Sequence, residues 1–590
     1  MSRGHRHGVS VHYLVLLLVL LTACTPQDEG VASDTSLEVI VDNEVMPVSG
    51  KTEMPTENRD ARVVIFNGVV EGNGSYKAEL VRTIDTPVFL DVDRGVDGTP
   101  FWIAQASVED AQGEVLWTDR VNSMFQLLEF LELVVEQSAA LTLNKTQLYN
   151  FVLQQYPALL EFPVRVPVGI PNGVDFVLRV PDADNKFVEV ARYAIKDLVD
   201  GATPPTITGE VNTVVRTGPS KDRLDVVILG DGYRAEDRED FDLDSQRIAE
   251  RLQETEPYAS EAGLINIHTV FTPSVEKGAG YDCSGIPAQD SGCKRDLRDT
   301  VFGTTFVVTA LADRLNLVLG ESDRVAMPLE IAKIFDVAAQ AEYDEVIVVS
   351  NTKRFSGFAG IYVSLVTTFA NNRNLMADVA MHELGHSFGA LGDEYQVEGD
   401  PCLFNEPRVP LPANIAAYTE GSFKWDRFFD GPVPIPTPVN QSSAYPVGAY
   451  EGAYNCDFLY RPAAECKMKS DESLPYCPVC LEQLMRRFYA TVDPVVAPSV
   501  ERGVDGTLRF SVDLAGKTRA AKWFLNEAEF GDGPSVDVSE ADVDSDENTL
   551  RVQVSDISGR VLIDEPRTSE DYTWTIGMVV RESVPIVARK

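Results

Sequence analysis

Short runs of alternating apolar and polar residues begin at about residue 60. Examples are residues 62–67 and 174–180, which glycines and prolines bound. A period of two is typical of strands with one buried face, so we predict an antiparallel, β-rich domain over residues 59–200. Residues 124–135 differ because their apolar positions have helical spacing, and they are predicted as a helix or as a buried strand.

Longer apolar runs follow a break rich in Gly, Pro and Thr at residues 201–205. The runs at 224–229 and 345–350 indicate buried strands, whereas residues 242–254 and 329–342 have helical periodicity. Buried strands that alternate with helices predict an α/β sheet. We assign this sheet to a central domain of residues 201–495.

The end of the chain returns to alternation. The runs at 549–554 and 572–576 predict a small C-terminal β-sandwich of residues 496–590. Before it, residues 402–456 have no sustained period and predict a long irregular excursion, and the apolar residues between 481 and 488 predict a helix.

The first 24 residues have a basic start, an apolar run from Val9 to Leu21 and the letters LTAC ending at Cys24. This layout predicts a secretory signal peptide, and LTAC resembles a lipobox, which implies cleavage before Cys24 and a lipid on its thiol. An ordinary signal peptide and an uncleaved anchor are the alternatives. Residues 25–58, rich in Asp, Glu, Thr, Ser and Pro, predict a flexible tether to the membrane.

The length and the charge limit the function further. A chain of 590 residues is too long for one core and predicts about three domains. A net charge of −40 excludes nucleic acid as a partner, because phosphates would be repelled. Calcium would suit an acidic chain, but the cluster Asp542, Asp544 and Asp546 lacks the glycine and glutamate of an EF-hand, so the sequence does not support it.

Eight cysteines in an exported chain predict disulfides. Cys283 and Cys293 are predicted to form a local pair. Five further cysteines are predicted to brace the region after residue 400, with one thiol left over: Cys402, Cys456, Cys466, Cys477 and Cys480. For the CPVC sequence at 477–480, half of a structural zinc site and a redox motif are the alternatives.

The clearest chemistry lies at residues 382–394, which read HELGHSFGALGDE. On a helix His382 and His386 project from one face, where both imidazoles can bind zinc. Glu383 then lies beside the metal, placed to take a proton from the attacking water as general base. The motif predicts a hydrolase with one catalytic zinc ion.

A catalytic zinc needs a third protein ligand. In metzincins a glycine after the second histidine allows the chain to turn back, and a third histidine follows. Gly389 is in place here, but Gly392 occupies the position of that histidine. We rank Asp393 first as third ligand, Glu394 second and His268 third.

The stretch from His382 to Tyr395 resembles the signature of the bacterial IgA metallopeptidase family, a metzincin-like group of zinc peptidases. LGDGY at 229–233, and CKMK at 466–469 with CPVC at 477–480, are further matches. The resemblance covers about residues 214–490. It implies a central α/β zincin fold, a zinc cofactor and a protein or peptide substrate.

The resemblance also implies that Met468 lies where a Met-turn passes beneath the zinc, with an ordinary core methionine as the alternative. Tyr395 is either an oxyanion donor or a packing residue. The chain is thus interpreted as an exported, lipid-anchored zinc endopeptidase of the cell envelope, or a secreted one. A binding or adhesion lipoprotein with an inactive zincin domain and a hydrolase of non-peptide amides are the alternatives. The intact His382, Glu383 and His386 count against inactivity.

Overall fold

The computed structural model describes most of the chain after residue 60. The described residues are 34–40, 60–71, 75–89, 104–121, 147, 149–150, 153–154, 160–168, 173–181, 186–281, 297–306, 325–360, 362–369, 372–396, 402, 412–418, 422–469, 472–544, 547–563 and 568–581. The predicted signal peptide with Cys24, the prediction for residues 124–135 and the pair Cys283–Cys293 lie outside them. Within the described part, no helix is both long and apolar enough to cross a bilayer.

Strand β1 (Asp34–Ile40) corrects the prediction of a tether over residues 25–58. It pairs antiparallel with the last strand of the chain, with Asp34 opposite Arg581 and Ile40 opposite Thr575. These seven residues therefore belong to the C-terminal sheet. Their alternation of Leu37, Val39 and polar residues is typical of a strand, a pattern that the acidic composition of the surrounding segment hides.

Two mostly antiparallel four-stranded sheets form the N-terminal region, in the orders β6-β2-β3-β9 and β5-β4-β7-β8. They share a core in which Phe66 stacks on Phe162 and Phe176, with ring centroids 6.0 and 5.9 Å apart. The short helix α1 (Ile195–Val199) closes the region. The strands are β2 (Asp60–Val70), β3 (Tyr76–Phe89), β4 (Ala104–Glu109), β5 (Val115–Val121), β6 (Glu161–Pro167), β7 (Asp175–Pro181), β8 (Phe187–Ala194) and β9 (Ala202–Thr203).

A six-stranded mixed sheet forms the centre, in the order β10-β12-β11-β15-β17-β16. Its four inner strands are parallel, and the edge strands β10 and β16 are antiparallel to their neighbours. The strands of this region are β10 (Glu210–Val215), β11 (Leu224–Asp231), β12 (Ile265–Phe271), β13 (Thr305–Phe306), β14 (Ala326–Met327), β15 (Glu345–Ser350), β16 (Gly357–Gly360) and β17 (Val363–Thr367). Its helices are α2 (Arg238–Glu254), α3 (Ile331–Ala338) and α4 (Arg373–Ser387).

Both faces of this sheet are covered, which explains the unbroken apolar runs of its strands. Every residue of β11 is buried. Val226 and Ile228 face the core that contains α2 and α4, whereas Val227 and Leu229 face the core that contains α3. The strands predicted at 224–229 and 345–350 are confirmed. Helix α2 contains the residues predicted at 242–254, and α3 is shorter than predicted.

The excursion after α4 is irregular, as predicted, apart from a small sheet in the order β18-β20-β19. Its strands are β18 (Ala416–Ala417), β19 (Tyr450–Ala453) and β20 (Cys456–Arg461), and α5 (Pro478–Thr491) follows. A disulfide joins Cys402 to Cys456. Cys466, Cys477 and Cys480 are buried free thiols, so the prediction of a single leftover thiol is wrong.

The C-terminal region contains two sheets, in the orders β21-β22-β25 and β1-β27-β26-β23-β24. Trp574 joins their shared core, with its ring centroid 5.2 Å from that of Phe510 and 5.7 Å from that of Trp523. The strands are β21 (Val496–Arg502), β22 (Leu508–Asp513), β23 (Arg519–Leu525), β24 (Ala528–Asp532), β25 (Ser535–Val538), β26 (Asn548–Asp556) and β27 (Ser569–Arg581).

Candidate metal centre

Helix α4 is buried around most of its circumference because it packs between the central sheet and α2. It begins at a cap, where the Asn372 side chain accepts a hydrogen bond from the backbone N–H of Leu375 at 3.2 Å. Near its end, Gly385 leaves room for a neighbour, since a Cβ there would meet Met468 Sδ at 2.5 Å. The helix therefore holds its side chains in a rigid, packed setting.

Three ligand atoms converge beside this helix. His382 Nε2 and His386 Nε2 are 3.2 Å apart. Asp393 Oδ1 lies 3.2 Å from the first and 3.1 Å from the second. Zinc bonds to nitrogen and oxygen of about 2.0–2.1 Å give tetrahedral edges of about 3.3–3.4 Å, so the three atoms fit one zinc ion.

Backbone carbonyls orient both imidazoles. His382 Nδ1 lies 2.7 Å from the carbonyl oxygen of Lys467, and His386 Nδ1 lies 2.7 Å from that of Leu391. A carbonyl can only accept, so each Nδ1 carries the proton and each Nε2 keeps its lone pair for a metal. The tautomer that a metal requires is thus built into the fold.

The charges of the three groups are coupled. Burial opposes charge on His386, but the adjacent Asp393 carboxylate outweighs it and raises the pKa of His386 to about 9. The pKa of His382 is raised as well, against its burial, by its hydrogen bond to Asp393. In return, the two imidazoles hold the pKa of the buried Asp393 carboxyl well below its usual range. Without metal, protons occupy the position that a cation would take.

The chain reverses directly after α4. A Cβ at Gly389 would lie 2.5 Å from the carbonyl oxygen of Gly385, so only glycine fits, although Ala390 is the residue with a positive φ, 53°. The N–H of Leu391 donates to the Gly385 carbonyl at 3.0 Å. Gly389 is needed because a side chain at this position would collide with the end of α4. The turn then brings Asp393 back to the histidines.

Glu383 is buried next to the three ligand atoms, with 6% of its surface exposed. Burial raises its pKa to about 7, although His382 and His386 oppose this. A Cβ at Gly357 of β16 would overlap Glu383 Oε1. The Glu383 carboxylate therefore lies between helix α4 and the edge strand β16.

Comparison with protein families places this site. Residues 213–445 match the model of the family described as IgA Peptidase M64. This segment belongs to that family. It is therefore a metallopeptidase domain, a hydrolase that acts on peptide bonds. The M64 segment contains Glu383 and all three ligand residues, and it ends before Met468.

The other comparisons add nothing to this assignment. The curated proteins contain no match to the chain. One solved structure, an FMN-binding beta-glucuronidase from Facaelibacterium prausnitzii L2-6, is 10% identical over 88% of this chain and 74% of that chain. Its TM-score of 0.10 is too low to indicate a shared fold.

Met468 lies outside the M64 segment, but its side chain packs against helix α4 of that segment. The side chain is fully buried against Gly385, and the carbonyl of Met468 accepts a hydrogen bond from the N–H of Glu394 at 2.7 Å. The preceding residue is Lys467, whose carbonyl orients His382. The turn around Met468 therefore supports both the helix and the loop that carries Asp393.

Two residues that the sequence ranked as third ligands lie elsewhere. Glu394 contacts Asn414 and Cys480 and is not part of the histidine cluster. His268 lies in the central sheet, where its ring nitrogens are 3.1 Å from Thr213 Oγ1 and 3.2 Å from Asp225 Oδ1. Neither side chain lies in the histidine cluster, because other groups of the fold hold both, and Asp393 stays the predicted third ligand.

Asn414 is a supporting residue that gave no signal in the sequence. Asn414 bridges the returning loop, since its amide donates to the carbonyl of Gly392 and accepts from the N–H of Gly392, both at 2.8 Å. The negative charge of Asp393, together with burial and a hydrogen bond to the same carboxylate, raises the pKa of Tyr395, which the sequence had offered as an oxyanion donor or a packing residue. A lone asparagine in an irregular segment is uninformative by itself, because its partner lies 22 residues away.

Within the described residues, three groups could hold a metal ion. One is the cluster of His382, His386 and Asp393, and another contains Asp225, His268 and Glu342. The third contains Glu394 and three cysteines. The acidic cluster considered for calcium is not among them, and its member Asp546 lies outside the described residues.

Proposed function

We propose that this chain is a zinc endopeptidase that binds one catalytic zinc ion through His382, His386 and Asp393. The observation that carries the proposal is the convergence of three ligand atoms within 3.2 Å of one another beside a buried glutamate. Two imidazoles and a carboxylate are typical ligands of catalytic zinc, which leaves a fourth position open. A central domain of α/β zincin type, flanked by an N-terminal β-rich region and a C-terminal β-sandwich, is part of the proposal.

Glu383 is the general base. A zinc ion bound at the site would supply Lewis acidity, making a water molecule acidic and polarising the scissile carbonyl. Glu383 accepts the proton of the attacking water and passes it to the leaving amine. Its burial keeps bulk water from the carboxylate, and a bound dication would lower the pKa of Glu383 from about 7, which favours the ionised state that a base needs.

The edge strand β16 is the proposed substrate platform. Its sheet partner is β17 on one side, and it occupies the end of the strand order. An extended peptide can add to such an edge through backbone hydrogen bonds, with its scissile bond near Glu383. Strand addition explains how the enzyme would bind an extended segment of protein.

The substitution Glu383→Gln tests this function. It keeps the shape of the side chain and removes its basicity, so the full-length protein should retain zinc and fold and lose peptide cleavage by a factor of about 10² to 10⁴. Glu345→Gln is the matched control, since Glu345 is also fully buried but belongs to β15. If the wild type, loaded with zinc, cleaves a broad peptide library no faster than Glu383→Gln, the chain is a binding lipoprotein with an inactive domain.

Export and lipid anchoring are proposed from the sequence LTAC that ends at Cys24. Acyl chains on this cysteine would supply the free energy of membrane attachment. The substitution Cys24→Ser should move the protein from the membrane fraction to the soluble fraction of cells that express it. Unchanged partitioning would show that an uncleaved helix or another anchor holds the protein.

A further inference from the structure

Four side chains with metal-binding groups meet between the loop after α4, the Met468 turn and α5. Glu394, Cys466 and Cys480 are completely buried, and Cys477 is 5% exposed. Each offers one ligand atom, and these four atoms lie within 4.8 Å of one another. The set is separate from the three ligands of the catalytic site.

The distances in this cluster fit a tetrahedral metal site. The sulfur atoms of Cys466 and Cys480 are 3.7 Å apart, and Cys480 Sγ lies 3.3 Å from Glu394 Oε1. Zinc bonds of about 2.3 Å to sulfur and about 2.0 Å to oxygen give tetrahedral edges of about 3.8 Å between sulfurs and about 3.5 Å from sulfur to oxygen. A disulfide would need sulfurs about 2.05 Å apart.

The backbone around the cluster suits thiolates. The N–H of Cys477 donates to Cys466 Sγ at 3.2 Å, and the N–H of Met468 reaches the same sulfur. Cys477 is the N-cap residue of α5, where the helix dipole favours a negative charge, although its side chain makes no cap hydrogen bond. Backbone donors and a helix N-terminus both favour the negative form of a thiol.

Within the described residues, Glu394 is in no ion pair, although the charge of Arg461 acts on it from farther away. Its Oε1 accepts from the amide of Asn414 at 2.9 Å, but its buried Oε2 has no hydrogen-bond partner among the described residues. Burying a carboxylate oxygen without a hydrogen-bond partner costs free energy. A divalent cation would remove this cost, because it gives the buried carboxylate and thiolates an opposite charge.

We propose that Glu394, Cys466, Cys477 and Cys480 bind a second zinc ion, which is structural. Four protein ligands close the coordination sphere, so this metal has no position for a substrate or a reactive water. Three thiolates favour a soft or borderline metal, and the carboxylate oxygen favours zinc over copper(I).

This ion would position the catalytic site. Glu394 follows Asp393 directly, and its N–H is bonded to the carbonyl of Met468. Cys466 precedes Lys467, whose carbonyl orients His382. One ion would thus fasten the loop that carries the third catalytic ligand to the turn beneath the metal helix. The four ligands are positioning residues, and none of them touches the reacting atoms.

Metal analysis of the full-length protein, purified anaerobically without chelator, tests the proposal. The wild type should contain two zinc ions per chain, and His386→Ala should keep one. After exchange with cobalt(II), both proteins should show the near-ultraviolet absorption of thiolate-to-cobalt charge transfer, which two imidazoles and a carboxylate cannot produce. This readout needs no activity and leaves the cysteine cluster unaltered.

Two carboxamide variants form the matched pair. Glu394→Gln should lower the zinc content from two ions to one or weaken the thiolate-bound ion at least 10-fold in chelator competition, whereas Glu345→Gln should keep both ions. A wild type with one zinc ion, the absence of charge transfer in His386→Ala, or a disulfide among Cys466, Cys477 and Cys480 in the alkylated, unfolded protein would overturn the proposal. Loss of cleavage in Glu383→Gln with both metals bound concerns the catalytic site alone.

Discussion

At the scale of single residues, the two adjacent carboxylates Asp393 and Glu394 have different environments. Asp393 reaches two imidazoles, whereas Glu394 lies against Asn414 and Cys480. Their chemistry is the same, so the sequence alone ranks them without deciding between them. The direction in which each side chain leaves the loop places Asp393, and not Glu394, in the histidine cluster.

The substitution Asp393→Asn should therefore lower the affinity of the histidine site for zinc by at least about 10²-fold, because a direct ligand loses its charge. Replacing residues that only hydrogen-bond to a ligand already lowers metal affinity about 10 to 100-fold. Competition with a chromophoric chelator measures the affinity, and peptide cleavage measures the activity. Glu394→Gln is the comparison variant, and it should weaken this ion less because Glu394 acts on the loop and does not lie among the histidines. If it weakened the histidine-bound ion more than Asp393→Asn, Glu394 would be the third ligand.

The raised pKa of His386 predicts a pH dependence for the metal-free protein. Its folded pKa of about 9 exceeds the ordinary value of 6.5, so the ion pair with Asp393 stabilises the fold fully below pH 6.5 and is lost as the pH rises through 9. Chelator-treated protein should melt at a lower temperature at pH 10 than at pH 6. The difference should shrink in Asp393→Asn, and an equal difference in both proteins would contradict the assignment.

At the scale of elements, the site lies between a buried helix and an edge strand. Helix α4 supplies the histidines and Glu383, and β16 passes close enough that Gly357 has no room for a side chain. A Cβ at Gly357 would overlap the Glu383 carboxylate and come within 3.1 Å of Val379 Cγ1. The spacing of helix and strand therefore sets the position of the base.

The substitution Gly357→Ala should displace Glu383 and lower kcat/KM by about 10²-fold, since a shift of about 1 Å at a reacting group has an effect of that size. Zinc content should stay at the wild-type level because no ligand is touched. Gly201→Ala is the control, as a Cβ at that position meets nothing within 4 Å. Unchanged kinetics of Gly357→Ala would show that Glu383 does not depend on this contact.

At the scale of the whole molecule, the C-terminal sheets dock on the M64 segment through buried charges. Glu261 accepts a hydrogen bond from Thr518 and lies 3.9 Å from Arg519 Nε, and the side chains of Glu261 and Arg519 are fully buried. Arg223 pairs with Asp513 at 2.8 Å nearby. Strand β1 joins the same C-terminal sheet, so residues before the M64 segment and after it form one unit.

Removing one partner of this pair should destabilise the protein strongly. Glu261→Ala leaves Arg519 buried without its carboxylate, which costs about 3–5 kcal/mol of the free energy of unfolding. Urea denaturation measures this loss. The double variant Glu261→Ala with Arg519→Met should recover part of the stability, because no buried charge remains. A double variant as unstable as the sum of the single variants would show that the two side chains act independently.

The sequence by itself determined the features that depend on local periodicity. His386 follows His382 by four positions, which is about one helical turn, so the pair and Glu383 could be placed on one helix before any fold was known. Unbroken apolar runs likewise indicated that β11 and β15 are buried strands of an α/β sheet. The turn after Gly389 and the family resemblance also followed from residues that are close in the chain.

Only the tertiary structure decided which distant groups meet. The carbonyl that orients His382 is 85 residues away, and Glu394 meets Cys480 across 86 residues. No periodicity links such positions, because their contact depends on the path of the whole chain and on the packing of Met468 against α4. Strand β1 could not be predicted for the same reason, because its partner β27 lies at the other end of the chain. Pairing with β27 makes residues 34–40 a strand although the surrounding segment is acidic.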